Sequence, residues 1–188
     1  MAILGKLLAN RRAGERTLAW HRPNLAGDGV FELTSPDFEH ESFLTTPHAG
    51  KRVGGQDRSP ALAWSAPPAG TAQLLLVVED PDAPMSKPFV HAVALLDPAR
   101  TELAQGVLDG VETVAGVQVL RSGFGRGYMG PSPIKGHGPH RYAFQLFALA
   151  EPITAVNGAP VAKANPPAVL AAARALGRAR IDGFYERS

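Results

Sequence analysis

Three short segments of this 188-residue chain carry side chains able to move protons or hold charge. EDPDAP at 79–84 follows the apolar run QLLLVV and sets Asp80 and Asp82 two residues apart. In an extended chain, carboxylates at that spacing point to the same side. Pro81 and Pro84 remove two backbone donors and stiffen the segment. Asp and Pro are equally the residues of an ordinary turn. His91 sits inside FVHAVALL, where strict alternation places it on one face with Phe89, Val93 and Leu95. GYMGPSPIKGHGPHRYAFQLFAL at 127–149 ends in a strand on which His140, Tyr142, Phe144 and Leu146 share a face, polar groups at the mouth and apolar ones deeper. Imidazole N–H, phenol O–H and loop amides are donors for an oxyanion. A carboxylate beside a histidine fixes its tautomer and favours its charged form.

Other chemistries fit less well. Gly125, Gly127 and Gly130 spell GxGxxG, but a dinucleotide fingerprint needs a helix to begin directly after it, and Pro131, Pro133, Gly136 and Gly138 stand there instead. His137 and His140 form HxxH, which with Asp80, Asp82 or His91 offers nitrogen and oxygen ligands for zinc or iron. Helical ligand spacing is implausible in a stretch so rich in Gly and Pro, so no metal and no cofactor are expected. There is no GxSxG elbow for a serine hydrolase, and the absence of cysteine removes thiol nucleophiles, disulfide scaffolds and cysteine-ligated zinc together.

These groups must be held by mostly short elements. Gly and Pro number 20 and 17 and punctuate the chain, which favours β-structure. Residues 73–79, 89–96 and 141–149 read as buried strands, with weaker candidates at 30–34, 61–64 and 117–121. One helix is expected late, capped by Asn165, opened by Pro166 and continued through AVLAAARAL, packing at the edge of the sheet. The expected organisation is an N-terminal arm over 1–27, lying outside the core, and one domain over 28–188. Lys+Arg 19 against Asp+Glu 17 gives a net charge of +2, which is no nucleic-acid footprint. The positive charge gathers at Lys6, Arg11, Arg12, Arg16 and Arg22. No apolar run reaches the ~18 residues of a membrane span, and the N-terminus loses its apolar character too early for a signal peptide. A cytoplasmic protein without integral membrane association is expected.

DPDAP, a strand bearing His91, and PxKGxGxHRY leading into FxLFAL occur here in an order and at a spacing that resemble the phosphatidylethanolamine-binding protein family, also called Raf kinase inhibitor proteins, and most of all its bacterial YbhB/YbcL-like branch. SPALAWSAPPAG at 59–70 and the closing RIDGFYERS extend the likeness over about 28–187. The resemblance implies a mainly β fold of two antiparallel sheets with Greek-key connections and short peripheral helices, with a small anion-binding cavity at one end. Matched by position, Asp80, Asp82, His91, His140 and Tyr142 line that cavity, and the loop around Gly130 and Pro133 forms its wall. Met129, Ile134 and Val90 depart from residues common in the family and make the rim more apolar.

The function expected is therefore non-catalytic: a pocket for a phosphorylated head group or side chain on a small molecule or phosphoprotein, with regulation of a kinase or another signalling protein as the family's implication. A homodimer is plausible by the same resemblance, and no nucleic-acid partner is expected. A small hydrolase using His140 and Asp80 as acid and base, and an interaction module with a vestigial pocket, are the alternatives.

Overall fold

The computed structural model describes residues 2–187. Met1 and Ser188, the outer ends of the two expected units, lie outside the described residues. Twelve strands are present among the described residues, in chain order β1 (Gly29–Val30), β2 (Leu33–Thr34), β3 (Ser42–Phe43), β4 (Leu62–Trp64), β5 (Gln73–Asp80), β6 (Phe89–Leu96), β7 (Glu102–Leu103), β8 (Val117–Val119), β9 (His140–Leu149), β10 (Ala155–Val156), β11 (Ala159–Pro160) and β12 (Ala175–Tyr185). The helices are α1 (Ala2–Leu8) and α2 (Pro166–Ala172), with single 3-10 turns in the segment before β1 and in later connections. The architecture is mainly β, with antiparallel sheets and short peripheral helices, as the sequence implies.

The principal sheet has seven strands in the order β1-β12-β9-β5-β6-β8, with β3 also paired to β12. Its central pairings are antiparallel, whereas β1 and β3 join β12 in parallel. Both faces of this sheet are covered, which is why Leu74 to Val78 form an uninterrupted apolar run rather than an alternating one. One face packs Leu74, Leu76, Phe144 and Leu146 under the small sheet β2-β4-β7, which contributes Leu33, Leu62, Trp64 and Leu103. The other packs Leu75, Val77, Val93 and Phe147 against Val169, Leu170 and Ala173.

Three local expectations are corrected. The late helix lies on a face of the sheet rather than at its edge, and it stops at Ala172, because Ala173 is already extended. Arg174–Leu176, expected to be helical, instead lead into β12, the longest strand, which pairs along almost the whole of β9. Tertiary pairing overrides alanine's helix preference there. The N-terminal arm, expected outside the core, enters it: Ala19 and Leu25 are fully buried against the second face. The Ala19 amide donates to Glu79 at 2.7 Å and the Trp20 amide to Gln145 at 2.7 Å.

Candidate functional site: a buried polar cluster at one end of the main sheet

At Asp80 β5 ends in a turn, not in extended chain, so the two aspartates diverge. Oδ1 of Asp80 accepts the amides of Asp82 and Ala83 at 2.7 and 3.0 Å, the Asx geometry that Asp favours in turns. Its Oδ2 lies 2.8 Å from Nδ1 of His140. Asp82 sits at the rim, accepting the Arg141 amide on Oδ2 and pairing through Oδ1 with Arg12 at 2.7 Å. The two carboxylates therefore have different jobs: Asp80 orients a histidine, and Asp82 ties the rim together.

His91 reaches the site through a β-bulge. The β5–β6 register shifts between Val78 and Glu79, so Ala92 faces Val78 and Val90 faces Glu79 with His91 as the extra residue. A bulge re-aims side chains. Here it moves His91 off the face of Val93 and Leu95, where alternation had put it, and sets its ring 5.0 Å from that of Tyr142, edge to face. Phe89 packs on its other side at 4.9 Å. His140, Tyr142, Phe144 and Leu146 do share a strand and a direction, with Tyr142, Phe144 and Leu146 in one core cluster.

Asp80, His91, His140 and Tyr142 are each buried, no more than 5% exposed. Nδ1 of His91 is hydrogen-bonded to the Met129 carbonyl. A carbonyl only accepts, so Nδ1 carries a proton and Nε2 of the neutral ring is a bare lone pair. Burial holds the His91 pKa below the ordinary imidazole value, against the raising influence of Asp80 and of the Met129 bond. The Tyr142 hydroxyl is pushed well up, chiefly by burial and then by Asp80, so it remains an O–H donor. His91 Nε2 and Tyr142 Oη are both buried without a hydrogen-bond partner. Buried polar atoms are rarely left so, because each costs about 1–3 kcal/mol.

The loop that carries Gly130 reaches the site through the Met129 carbonyl. Gly130 packs so tightly that a Cβ would lie 2.5 Å from the backbone of Ala49 and Gly50, which only glycine tolerates. Its amide is already given to Asp57 Oδ1 at 2.9 Å, so it supports the loop instead of serving as a free donor. Pro133, further along the same loop, is also buried. Sequence reasoning missed three contributors: Asp57, the Met129 carbonyl, and His137 as a pocket partner. Only His137 had a signal, its place in HxxH, and that was weighed as a metal motif. The two histidines instead face each other, Nδ1 of His137 lying 2.7 Å from Nε2 of His140, a geometry that leaves neither nitrogen for a shared ion. Among the described residues no group of three metal-ligating side chains converges.

The fold is mainly β, and at one end of its main sheet one phenol, two histidines and an orienting carboxylate are buried side by side. The family described as Phosphatidylethanolamine-binding protein matches residues 34–186. A UPF0098 protein of Aquifex aeolicus is 32% identical over 163 residues, covering 86% of this chain and 92% of its own. A Mycobacterium tuberculosis protein named as a lipoprotein, LppC, is 38% identical over 135 residues, 70% of this chain and 62% of its own. The crystal structure of Escherichia coli YbcL, described as a member of the mammalian PEBP family, superposes with a TM-score of 0.73 at 32% identity, covering 84% of this chain and 99% of that one. The chain belongs to the phosphatidylethanolamine-binding protein family and is YbcL-like. No helix among the described residues is long and apolar enough to cross a membrane.

Proposed function

We propose that the protein is a non-catalytic binding protein whose pocket takes the phosphoryl group of a phosphorylated head group or phosphorylated side chain. The observation that carries this reading is the pair of orphaned atoms, His91 Nε2 and Tyr142 Oη, on rings in edge contact at 5.0 Å. Tyr142 donates its hydroxyl to a phosphoryl oxygen. His91 Nε2 accepts from the P–OH of a phosphate monoanion, or takes up a proton and donates to the dianion. In both cases the complex holds a proton that the separated partners shed as pH rises, so linkage makes affinity fall with rising pH, by up to tenfold per unit.

A hydrolase is the second reading, since the 2.8 Å contact of His140 with Asp80 is a base oriented by a carboxylate. Against it, the other His140 nitrogen is engaged by His137 rather than facing a reacting atom. Kinase or phosphoprotein regulation is what family membership adds to the binding reading, and a cytoplasmic location and a homodimer are proposed with it. Fractionation would test the location, all the more because one relative is named as a lipoprotein.

The test is calorimetric titration with phosphorylethanolamine, phosphotyrosine and inorganic phosphate, on wild type, His140→Ala and Asp80→Ala. Saturable binding that either substitution abolishes is expected, together with net proton uptake when the titration is repeated in buffers of different ionisation enthalpy. No heat from any phosphate would overturn the pocket reading. Affinity that stays flat from pH 5.5 to 8 would remove His91 from it. Turnover of a phosphate ester, lost in His140→Ala, would establish the hydrolase instead.

A further inference from the structure

The N-terminal arm runs over the buried polar cluster, from the turn after β5 to the loop before β9. The Ala13 and Gly14 amides donate to the carbonyls of Ala83 and Pro81 at 3.0 and 2.8 Å, laying the arm along the turn that holds Asp80 and Asp82. Arg12 bridges to the facing loop: it pairs with Asp82 at 2.7 Å and donates to the carbonyls of Pro139 at 3.1 Å and His137 at 3.4 Å. Gly5 of α1 sits so close to this loop that a Cβ would lie 2.2 Å from the Lys135 carbonyl oxygen. The Leu8 carbonyl lies 2.8 Å from Nε2 of His137. Both rims of a site whose polar residues are buried are thus held together by one segment.

The hydrogen bonds under that segment fix a proton count. The Leu8 carbonyl only accepts, so His137 Nε2 carries a proton. In a neutral His137, Nδ1 is then a lone pair, and it accepts from His140 Nε2–H across 2.7 Å. In a neutral His140, Nδ1 is in turn a lone pair, yet it faces Asp80 Oδ2 at 2.8 Å. Two acceptors do not bond. The chain Leu8–His137–His140–Asp80 closes only with one additional proton, held between His140 and Asp80. Without it the two imidazoles satisfy each other in the opposite sense, His140 Nδ1–H to Asp80 and His137 Nδ1–H to His140, and His137 Nε2 then presents a lone pair to the Leu8 carbonyl and repels it.

We propose that residues 8–14 are a strap over the pocket, latched to it by a single proton through His137. The closed form binds one proton more than the open form, so linkage favours closure at low pH and release as pH rises. The groups around the latch are Asp80 on β5, Asp82 in the turn, His91 on β6, Tyr142 on β9, and Arg12 and His137 above it. The consequence for ligand access rests on the pocket reading above, whereas the latch itself does not.

The chain has no cysteine, so a pair of spin labels can be placed without background. Exposed Leu7 and exposed Glu151, beyond the far end of β9, are suitable positions, roughly 30 Å apart from the length of that strand. Pulsed EPR on ligand-free Leu7→Cys/Glu151→Cys protein is expected to give one narrow distance at pH 5.5 and a second, broad population at pH 8.5. Asp80→Asn makes the sharper test. Its amide oxygen keeps the turn, and its NH2 donates to His140 Nδ1, completing the chain with no additional proton. The strap should then stay narrow at both pH values, where mere loss of a charge pair would loosen it. His137→Phe should broaden the distribution at both, and Arg12→Ala, at a partly exposed position, should do the same if the buried substitution fails to fold. A wild-type distribution indifferent to pH, or an Asp80→Asn strap that loosens, overturns the latch. Because no ligand is present, failure of phosphate to bind in calorimetry leaves this outcome untouched.

Discussion

Two polar regions at the same end of the main sheet treat their hydrogen bonds in opposite ways. Around Asp182 every carboxylate oxygen is used: Oδ1 pairs with Arg180 Nε at 2.6 Å, while Oδ2 takes Arg180 Nη2 at 2.8 Å and also Arg141 Nη1. Arg180 Nη1 goes on to Glu15, the same Arg141 Nη1 that meets Asp182 also lies 3.0 Å from Glu41, and Arg180 also lies over Trp20. Glu15, Trp20, Arg141, Arg180 and Asp182 line a groove of about 580 Å³ that Asp82 also borders; it is strongly polar but its charges are paired, Asp82 with Arg12 and the rest among themselves. The cluster of Asp80, His91, His140 and Tyr142 is better buried, and yet two of its polar atoms have no partner. Charge density alone would choose the groove as the ligand site. Unmet hydrogen-bonding capacity supports the proposed site instead: of the four unpartnered buried side-chain atoms among the described residues, on His91, Tyr142, Arg100 and Ser122, the first two lie on rings in contact, and a ligand gains most where the protein has already borne the desolvation.

Asp182→Ala puts the largest strain on this comparison. It strands two partly buried guanidinium groups, and removing one partner of such a network costs about 3 kcal/mol or more. Urea unfolding is expected to show that loss, while phosphate affinity of the folded protein stays within about threefold of wild type. A groove substitution that abolished binding at unchanged folding would reverse the assignment of the two regions.

Tyr142→Phe works from the other side and is smaller. It deletes a buried hydroxyl that has no partner, so stability is expected to rise by about 1 kcal/mol. Phosphate affinity is expected to fall about tenfold, the equivalent of one hydrogen bond of roughly 1.4 kcal/mol. Stability measured by urea unfolding and affinity measured by calorimetry should move in opposite directions. A destabilised Tyr142→Phe with unchanged affinity would make the pocket structural.

How much of this could be read from the chain follows the range of the interactions. Strands β5, β6 and β9 are legible because apolar runs bounded by Gly, Pro and Asp are local signals, and His140 and Tyr142 share a face because the strand period is two. The direction of His91 was not legible, since a bulge depends on how β6 registers against β5 and leaves the alternation of the sequence itself unchanged. Strand β12 was hidden by AAARAL, whose composition favours helix until β9 pairs with it. The arm was hidden for a related reason: the anchors for Ala19 and Trp20 are Glu79 and Gln145, far along the chain, and a buried carboxylate inside an apolar strand gives no sign of what it will hold.

Glu79 sharpens the comparison with the smallest expected effect. It is buried beneath the arm, and its Oε2 alone accepts both the Ala19 amide at 2.7 Å and Gln145 Nε2 at 2.9 Å. Burial pushes its carboxyl pKa up, outweighing those two bonds and the nearby Arg22 and Arg180. An acid whose pKa is raised by folding binds its proton more tightly in the folded state. Stability from this group is therefore fully present below the unfolded carboxylate range and is lost as pH climbs through the folded pKa. Glu79→Gln keeps one oxygen in place for both hydrogen bonds and removes the titration. The unfolding free energy of the variant relative to wild type, followed by urea denaturation from pH 4 to 8, should shift in favour of the variant as pH rises. A difference that stays constant over that range would mean that Glu79 holds the arm as an ordinary carboxylate, with no desolvation cost distinguishing this seam from the solvent-facing charges of the Asp182 network.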